Sequence, residues 1–143
     1  MKKRILFVCV ENSFRSQIAE AYFNKLAPEN MVAFSAGTRP AERVHPNAVR
    51  LMLEEGIDIS GNKPKLLTRE MQENADVAVI VCGGSECPLV FASHVEEWNM
   101  PDPANMPLDE ARKVRDAIRE KVIDLIERLK AEERCAAGTS SRC

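Results

Sequence analysis

Residues 4–16 read RILFVCVENSFRS. Behind Arg4, the run from Ile5 to Cys9 is apolar without interruption, the pattern of a strand buried on both faces. Arg15 opens a second pattern, with Ile18, Ala19, Tyr22, Phe23 and Leu26 at helical spacing over residues 15–26, and Pro28 closes it. A strand that ends in Cys9 therefore feeds a helix that starts at Arg15. In a turn of this kind successive backbone N–H groups form a concave nest for an oxyanion. The helix N-terminus adds about half a positive charge, and the Arg15 guanidinium offers a fork for two oxygens. The same positive field favours the thiolate, the form in which a cysteine attacks. Asn12 suits a left-handed backbone position inside the loop, and Ser16 is placed to donate to the sulfur. The candidate nucleophile is Cys9. The candidate oxyanion-binding residues are Val10, Glu11, Asn12, Ser13, Phe14, Arg15 and Ser16. The competing reading of the same residues is a buried Cys and an N-terminal Arg that only tie a strand-to-helix turn together.

Outward from this unit the patterns alternate. Residues 31–36 read as a second strand. Residues 46–55 read as a helix, with Gly56 as its C-terminal stop. Residues 68–73 read as a short helix capped by Thr68. Residues 76–82 (DVAVIVC) are the clearest strand of the chain, and residues 89–92 are the place for a fourth, short one. Residues 108–131 form a long amphipathic helix on Val114, Ile118, Val122, Leu125, Ile126 and Leu129. Strands alternating with helices predict an α/β fold: one domain over residues 1–131, a parallel four-stranded sheet with helices on both faces, and a disordered tail over 132–143. Ligands of such sheets sit at the carboxyl ends of the strands, where both Cys9 and Cys82 fall.

The chain has 143 residues, 45% hydrophobic and 29% charged, with a net charge of −2. That is enough to bury one core, and the charge argues against nucleic acid as the main partner. Only residues 5–10 are apolar behind the basic start, too few for a secretory core or a membrane span, so a cytoplasmic location without a membrane partner is expected. Five cysteines, an odd number, argue against a disulfide framework.

Cys82-Gly83-Gly84-Ser85-Glu86-Cys87 spaces two thiols five positions apart. A regular helix would hold them about 8–9 Å apart at Cα, and a disulfide needs about 4.4–6.8 Å. A bridge therefore requires a loop or unwinding, which Gly83-Gly84 permits. Incidental buried cysteines are the plainer reading. A metal site would need two more ligands, and neither His45 nor His94 has a paired spacing. Asp102, between Pro101 and Pro103, reads either as a turn cap or as a general acid. His45 reads as a capping or surface residue before Pro46, and Trp98 as core or a pocket wall.

The loop, the following Gln17-Ile18-Ala19-Glu20, and Ser35-Ala36-Gly37-Thr38 together resemble the low-molecular-weight protein tyrosine phosphatase superfamily. Ser16-Gln17, where phosphatases usually have Ser-Pro, resembles its thioredoxin-coupled arsenate reductase branch. The resemblance runs from about Lys3 to about Leu129. It implies that Cys9 is the nucleophile, that Arg15 binds the oxyanion and that Asp102 is the general acid. It further implies a relay: Cys9 forms an arsenate adduct, Cys82 attacks Cys9 and releases arsenite, and Cys87 then resolves Cys82. A thioredoxin-like dithiol protein is the implied reductant, and no cofactor is needed.

Two departures stand out: Glu11 where phosphatases usually carry Gly, and Phe14 where many members carry a second loop Cys. A carboxylate beside an oxyanion pocket opposes binding unless it points away. Some arsenate reductases of this kind hold a potassium ion near the loop, and Asn12, Glu20 and Ser35 match that pattern. A lysine ammonium from Lys63-Pro64-Lys65 can take the ion's place, so no metal is assigned. The rival activity is a phosphatase using the same Cys9, Arg15 and Asp102. Against it, Ala104 stands where phosphatases usually place an aromatic residue, and Tyr22 is the single Tyr. A non-catalytic oxyanion-binding module is the third reading.

Overall fold

The computed structural model describes residues 2–83 and 88–136. Its elements are β1 (Lys3–Cys9), α1 (Arg15–Leu26), β2 (Met31–Gly37), α2 (Pro46–Leu53), α3 (Arg69–Asn74), β3 (Val77–Cys82), β4 (Val95–Asn99) and α4 (Leu108–Ala136). The strands are all parallel, in the order β2-β1-β3-β4. Residues Ile5 to Cys9 are all buried, because helices and loops cover both faces of the sheet. Ile5 and Phe7 face a large core with α1, α2 and α4. Leu6 and Val8 face a thinner one with Ala36, Ala78 and the partly buried Met71, Val90 and Ala92. This is the expected α/β architecture, and it brings the carboxyl ends of β1 and β3 side by side.

Local chemistry sets the boundaries. Thr68 caps α3 by accepting from the Met71 N–H at 3.1 Å. The helix expected over 46–55 ends at Leu53, and Gly56 closes it with φ 74. The Gly56 N–H bonds the Leu53 carbonyl and the Ile57 N–H bonds the Met52 carbonyl, the paired closure that only a residue at ease in the left-handed region completes.

Two expectations need correction. Residues 89–92 are not a strand: Leu89 and Phe91 are 85% and 78% exposed, while Val90 and Ala92 pack on the thin core. The fourth strand is β4, Val-Glu-Glu-Trp-Asn, which escapes an apolar reading because it lies at the sheet edge and buries only Trp98. Its Glu96 is matched by Arg128 at 2.7 Å and by the Trp98 indole N–H at 2.8 Å. Burial alone would raise this carboxyl, but those two donors outweigh it and hold it below its ordinary value. The second correction is the tail. Residues 132–136 are helical, with Glu133 accepting from Asn30 at 2.8 Å. Residues 137–143 lie outside the described residues.

Candidate active site

Cys9 ends β1 opposite Gly37, the last residue of β2. A Cβ on Gly37 would collide with the Val10 carbonyl oxygen and lie 2.9 Å from the Asn12 nitrogen, so the loop closes over a position that only Gly fits. Every carbonyl from Val10 to Phe14 is then taken up by a protein donor. Val10 accepts from the Arg39 N–H at 2.8 Å, Glu11 from Ala41 at 3.0 Å, Ser13 from His45 at 2.9 Å and Phe14 from Ile18 at 3.0 Å. Asn12 accepts from Gln17 Nε2 at 3.1 Å. In a trans peptide the N–H points opposite the C=O. Turning five carbonyls outward therefore turns the amides of residues 11–15 to the inner side of the loop. Asn12 makes the sharpest bend, with φ 52, and its N–H lies 3.2 Å from Cys9 Sγ. Ser16 Oγ lies 2.8 Å from the same sulfur. The expected roles of Asn12 in the bend and of Ser16 against the sulfur match these contacts.

The helix that starts here differs from its neighbours. α2 and α3 carry side-chain caps, His45 Nδ1 and Thr68 Oγ1. α1 has Phe14 at its N-cap position, with no side-chain cap and no acidic residue in its first turn. Its first-turn amides and partial positive charge are thus left for something else.

Arg15 is 8% exposed. Its Nη1 donates to the Met100 carbonyl at 2.9 Å. Among the described residues no carboxylate pairs with it. The Met100 N–H in turn bonds the Cys82 carbonyl at 2.8 Å. A Cβ on Gly83 would come within 2.5 Å of the Met100 oxygen. Met100 is therefore a backbone junction between the arginine, the end of β3 and the Asp102 segment. None of this was visible in the sequence, because a carbonyl carries no residue signature.

Cys9 is a free, buried thiol, and Cys82 is 1% exposed and disulfide-bonded. Cys87 lies outside the described residues. Asp102 is exposed, and its Oδ1 accepts from the Ala104 N–H at 3.0 Å, the turn-cap geometry. Glu11 is exposed to solvent, where water screens its charge. His45 caps α2 and packs on Phe14 at 5.1 Å between ring centroids.

Behind the loop, Lys65 Nζ lies 3.6 Å from Glu20 Oε1, which also accepts from Ser35 Oγ at 3.0 Å. The lysine ammonium supplies the positive charge at this carboxylate. The residues do not fit an added cation. No structural role for Gln17, Asn62 or the 39–44 segment was legible in the sequence. A buried amide on a helix and a donor 45 residues downstream leave no local pattern.

The family model described as low molecular weight phosphotyrosine protein phosphatase matches residues 4–135. "Arsenate reductase 2" of Staphylococcus epidermidis is 36% identical over 121 residues, 82% of this chain and 92% of that protein. "Glutaredoxin arsenate reductase" of Synechocystis is 35% identical over 130 residues, 89% of this chain and 98% of that one. A solved arsenate reductase in the phosphate-binding state superposes with a TM-score of 0.80 at 35% identity, covering 88% of this chain and 98% of its own.

Proposed function

The chain belongs to the low-molecular-weight phosphotyrosine protein phosphatase family, and we propose that it acts as its arsenate-reducing members do, converting arsenate to arsenite through Cys9 and a cysteine relay. The observation that carries this reading is the buried Arg15, unpaired by any carboxylate among the described residues, beside a loop whose carbonyls all turn outward. An uncompensated buried cation is costly, and a tetrahedral oxyanion held by the amides of residues 11–15 and by the guanidinium removes that cost.

In this reading the Cys9 thiolate attacks arsenic. One arsenate oxygen leaves as water, with its proton supplied by Asp102, and a Cys9–arsenic bond forms. The general acid is required because hydroxide is a poor leaving group, and it contributes about 10²–10⁴-fold. Loop amides and Arg15 stabilise the charge on the remaining oxygens. The Cys82 thiolate then attacks Cys9 Sγ. The electron pair of the sulfur–arsenic bond passes to arsenic, arsenite leaves, and a Cys9–Cys82 disulfide remains. Cys87 attacks Cys82, which frees the Cys9 thiolate and leaves Cys82–Cys87 oxidised. An external dithiol returns two electrons and two protons. A free Cys9 and a disulfide-bonded Cys82 are compatible with the state that the last internal step leaves.

The reductant of this reading is a thioredoxin-like protein of the cytoplasm. No helix among the described residues is long and apolar enough to cross a membrane. The test is arsenate-dependent turnover with a thioredoxin system and, separately, with glutaredoxin and glutathione. Cys9→Ser, Cys82→Ser and Cys87→Ser are compared with the native chain, and p-nitrophenyl phosphate hydrolysis is followed in parallel. Loss of reduction in all three variants, with hydrolysis lost only in Cys9→Ser, supports the relay. Strong hydrolysis without reduction, indifferent to Cys82 and Cys87, makes the protein a phosphatase.

A further inference from the structure

We propose that Gln17 is a positioning residue for Cys9, acting through Asn12 and Ser16; this rests on the reading of Cys9 as the nucleophile. Gln17 is 1% exposed in the first turn of α1. A buried amide is tolerated only when its donors and acceptor are matched, and here all are. Its Nε2 donates to Asn12 O and to Asn12 Oδ1, both at 3.1 Å, and its Oε1 accepts from Asn62 Nδ2 at 3.2 Å. The reverse orientation would set Oε1 against two oxygens, so the amide has one allowed direction.

Asn12 is oriented just as firmly. The Lys65 backbone N–H, which can only donate, lies 2.9 Å from Asn12 Oδ1. Asn12 Nδ2 must then face Ser16 Oγ, at 2.8 Å. A hydroxyl has one hydrogen. Ser16 accepts from Asn12, and when Cys9 is a thiolate, which can only accept, the Ser16 hydrogen goes to Cys9 Sγ, 2.8 Å away. Every donor in the chain Asn62, Gln17, Asn12, Ser16 points toward the sulfur. With the Asn12 N–H at 3.2 Å, the sulfur receives two donors, an arrangement matched to the acceptor-only thiolate. Gln17 does a second thing. By binding both the backbone and side-chain oxygens of Asn12, it clamps the one non-glycine residue with positive φ among those described, a conformation that costs about 1 kcal/mol unaided.

The test is alkylation of Cys9 by iodoacetamide in the full chain, read by mass spectrometry of the Cys9 peptide across a pH series. Gln17→Met keeps the volume and removes the polar atoms. It is expected to move the alkylation midpoint upward by about one pH unit, which slows alkylation about ten-fold below the native midpoint. Asn62→Ala lies at an exposed position and tolerates substitution. It is expected to slow alkylation in the same direction by about two-fold. A folded Gln17→Met with a native profile overturns the proposal, even if its melting temperature falls, because a purely structural amide would affect stability alone. Should Gln17→Met fail to fold, an unchanged profile in Asn62→Ala overturns it. Protection of native Cys9 by inorganic phosphate is measured in parallel. Its absence contradicts the functional reading itself, independently of Gln17.

Discussion

The protein buries two arginines among its described residues, and it treats them in opposite ways. Arg115, on α4, is 6% exposed and fully engaged: Glu54 at 2.7 Å, Asp116 at 2.8 Å and the Leu51 carbonyl at 3.0 Å. Burial alone would lower its pKa, but those two carboxylates outweigh it and raise it. Around it Arg112 holds the other Glu54 oxygen at 2.8 Å, and Tyr22 donates to Glu55 at 2.8 Å. Burial, then Glu55, keeps the Tyr22 hydroxyl protonated far above its ordinary range. This network fastens α2 and α1 to α4. Arg15 is 8% exposed and has one carbonyl. A cation closed off by the protein's own anions serves the fold. One left open beside inward-facing amides is, under the proposed function, kept for a ligand that the fold does not supply.

Three substitutions sharpen that contrast, and the largest effect falls on Arg15. Arg15→Lys keeps the charge but loses the planar fork, and arsenate turnover is expected to fall by about 10²–10³. Its urea midpoint is expected to stay at or above the native value, since no carboxylate loses a partner. Arg115→Met is expected to do the reverse. Urea unfolding should show a loss of about 1–3 kcal/mol, because Glu54, Asp116 and the Leu51 carbonyl lose a donor, while kcat/KM stays within about two-fold. A substitution that damaged both properties equally at either site would erase the distinction.

The smallest effect is a pH dependence. Hydrogen bonds from Arg112 and then Arg115 hold the Glu54 carboxyl at about 2, below its ordinary 4.5. A depressed carboxyl stabilises the fold above its unfolded pKa and loses that contribution as pH falls through the window from about 4.5 to about 2. Melting temperature measured from pH 5 to pH 2 should therefore fall less steeply in Glu54→Gln than in the native chain.

The two arginines also mark what a sequence can reveal. The place of Arg15 was legible because it depends on neighbours along the chain: a strand ending in Cys9, five residues, a helix start. Strands β1 to β3, α1 and the cap at Thr68 were legible for the same reason, as each is a local pattern. Arg115 was not, because on a long amphipathic helix it looks like any other surface charge until α2 is packed against it. β4 was missed because an edge strand needs one buried face only, so Glu96 and Glu97 mask its strand character. Gln17 was missed because its partners, Asn12 and Asn62, come from a loop and from a segment 45 residues away.

The central claim is that an oxyanion held by the Cys9 loop and Arg15 is reduced by electrons drawn through Cys82. A single turnover of reduced Cys87→Ser with arsenate tests it most directly, with arsenite measured and the disulfides mapped by mass spectrometry. The account predicts one arsenite per chain and a trapped Cys9–Cys82 disulfide. Native Cys9 and Cys82 thiols with no arsenite, in a protein that still binds arsenate, would contradict it.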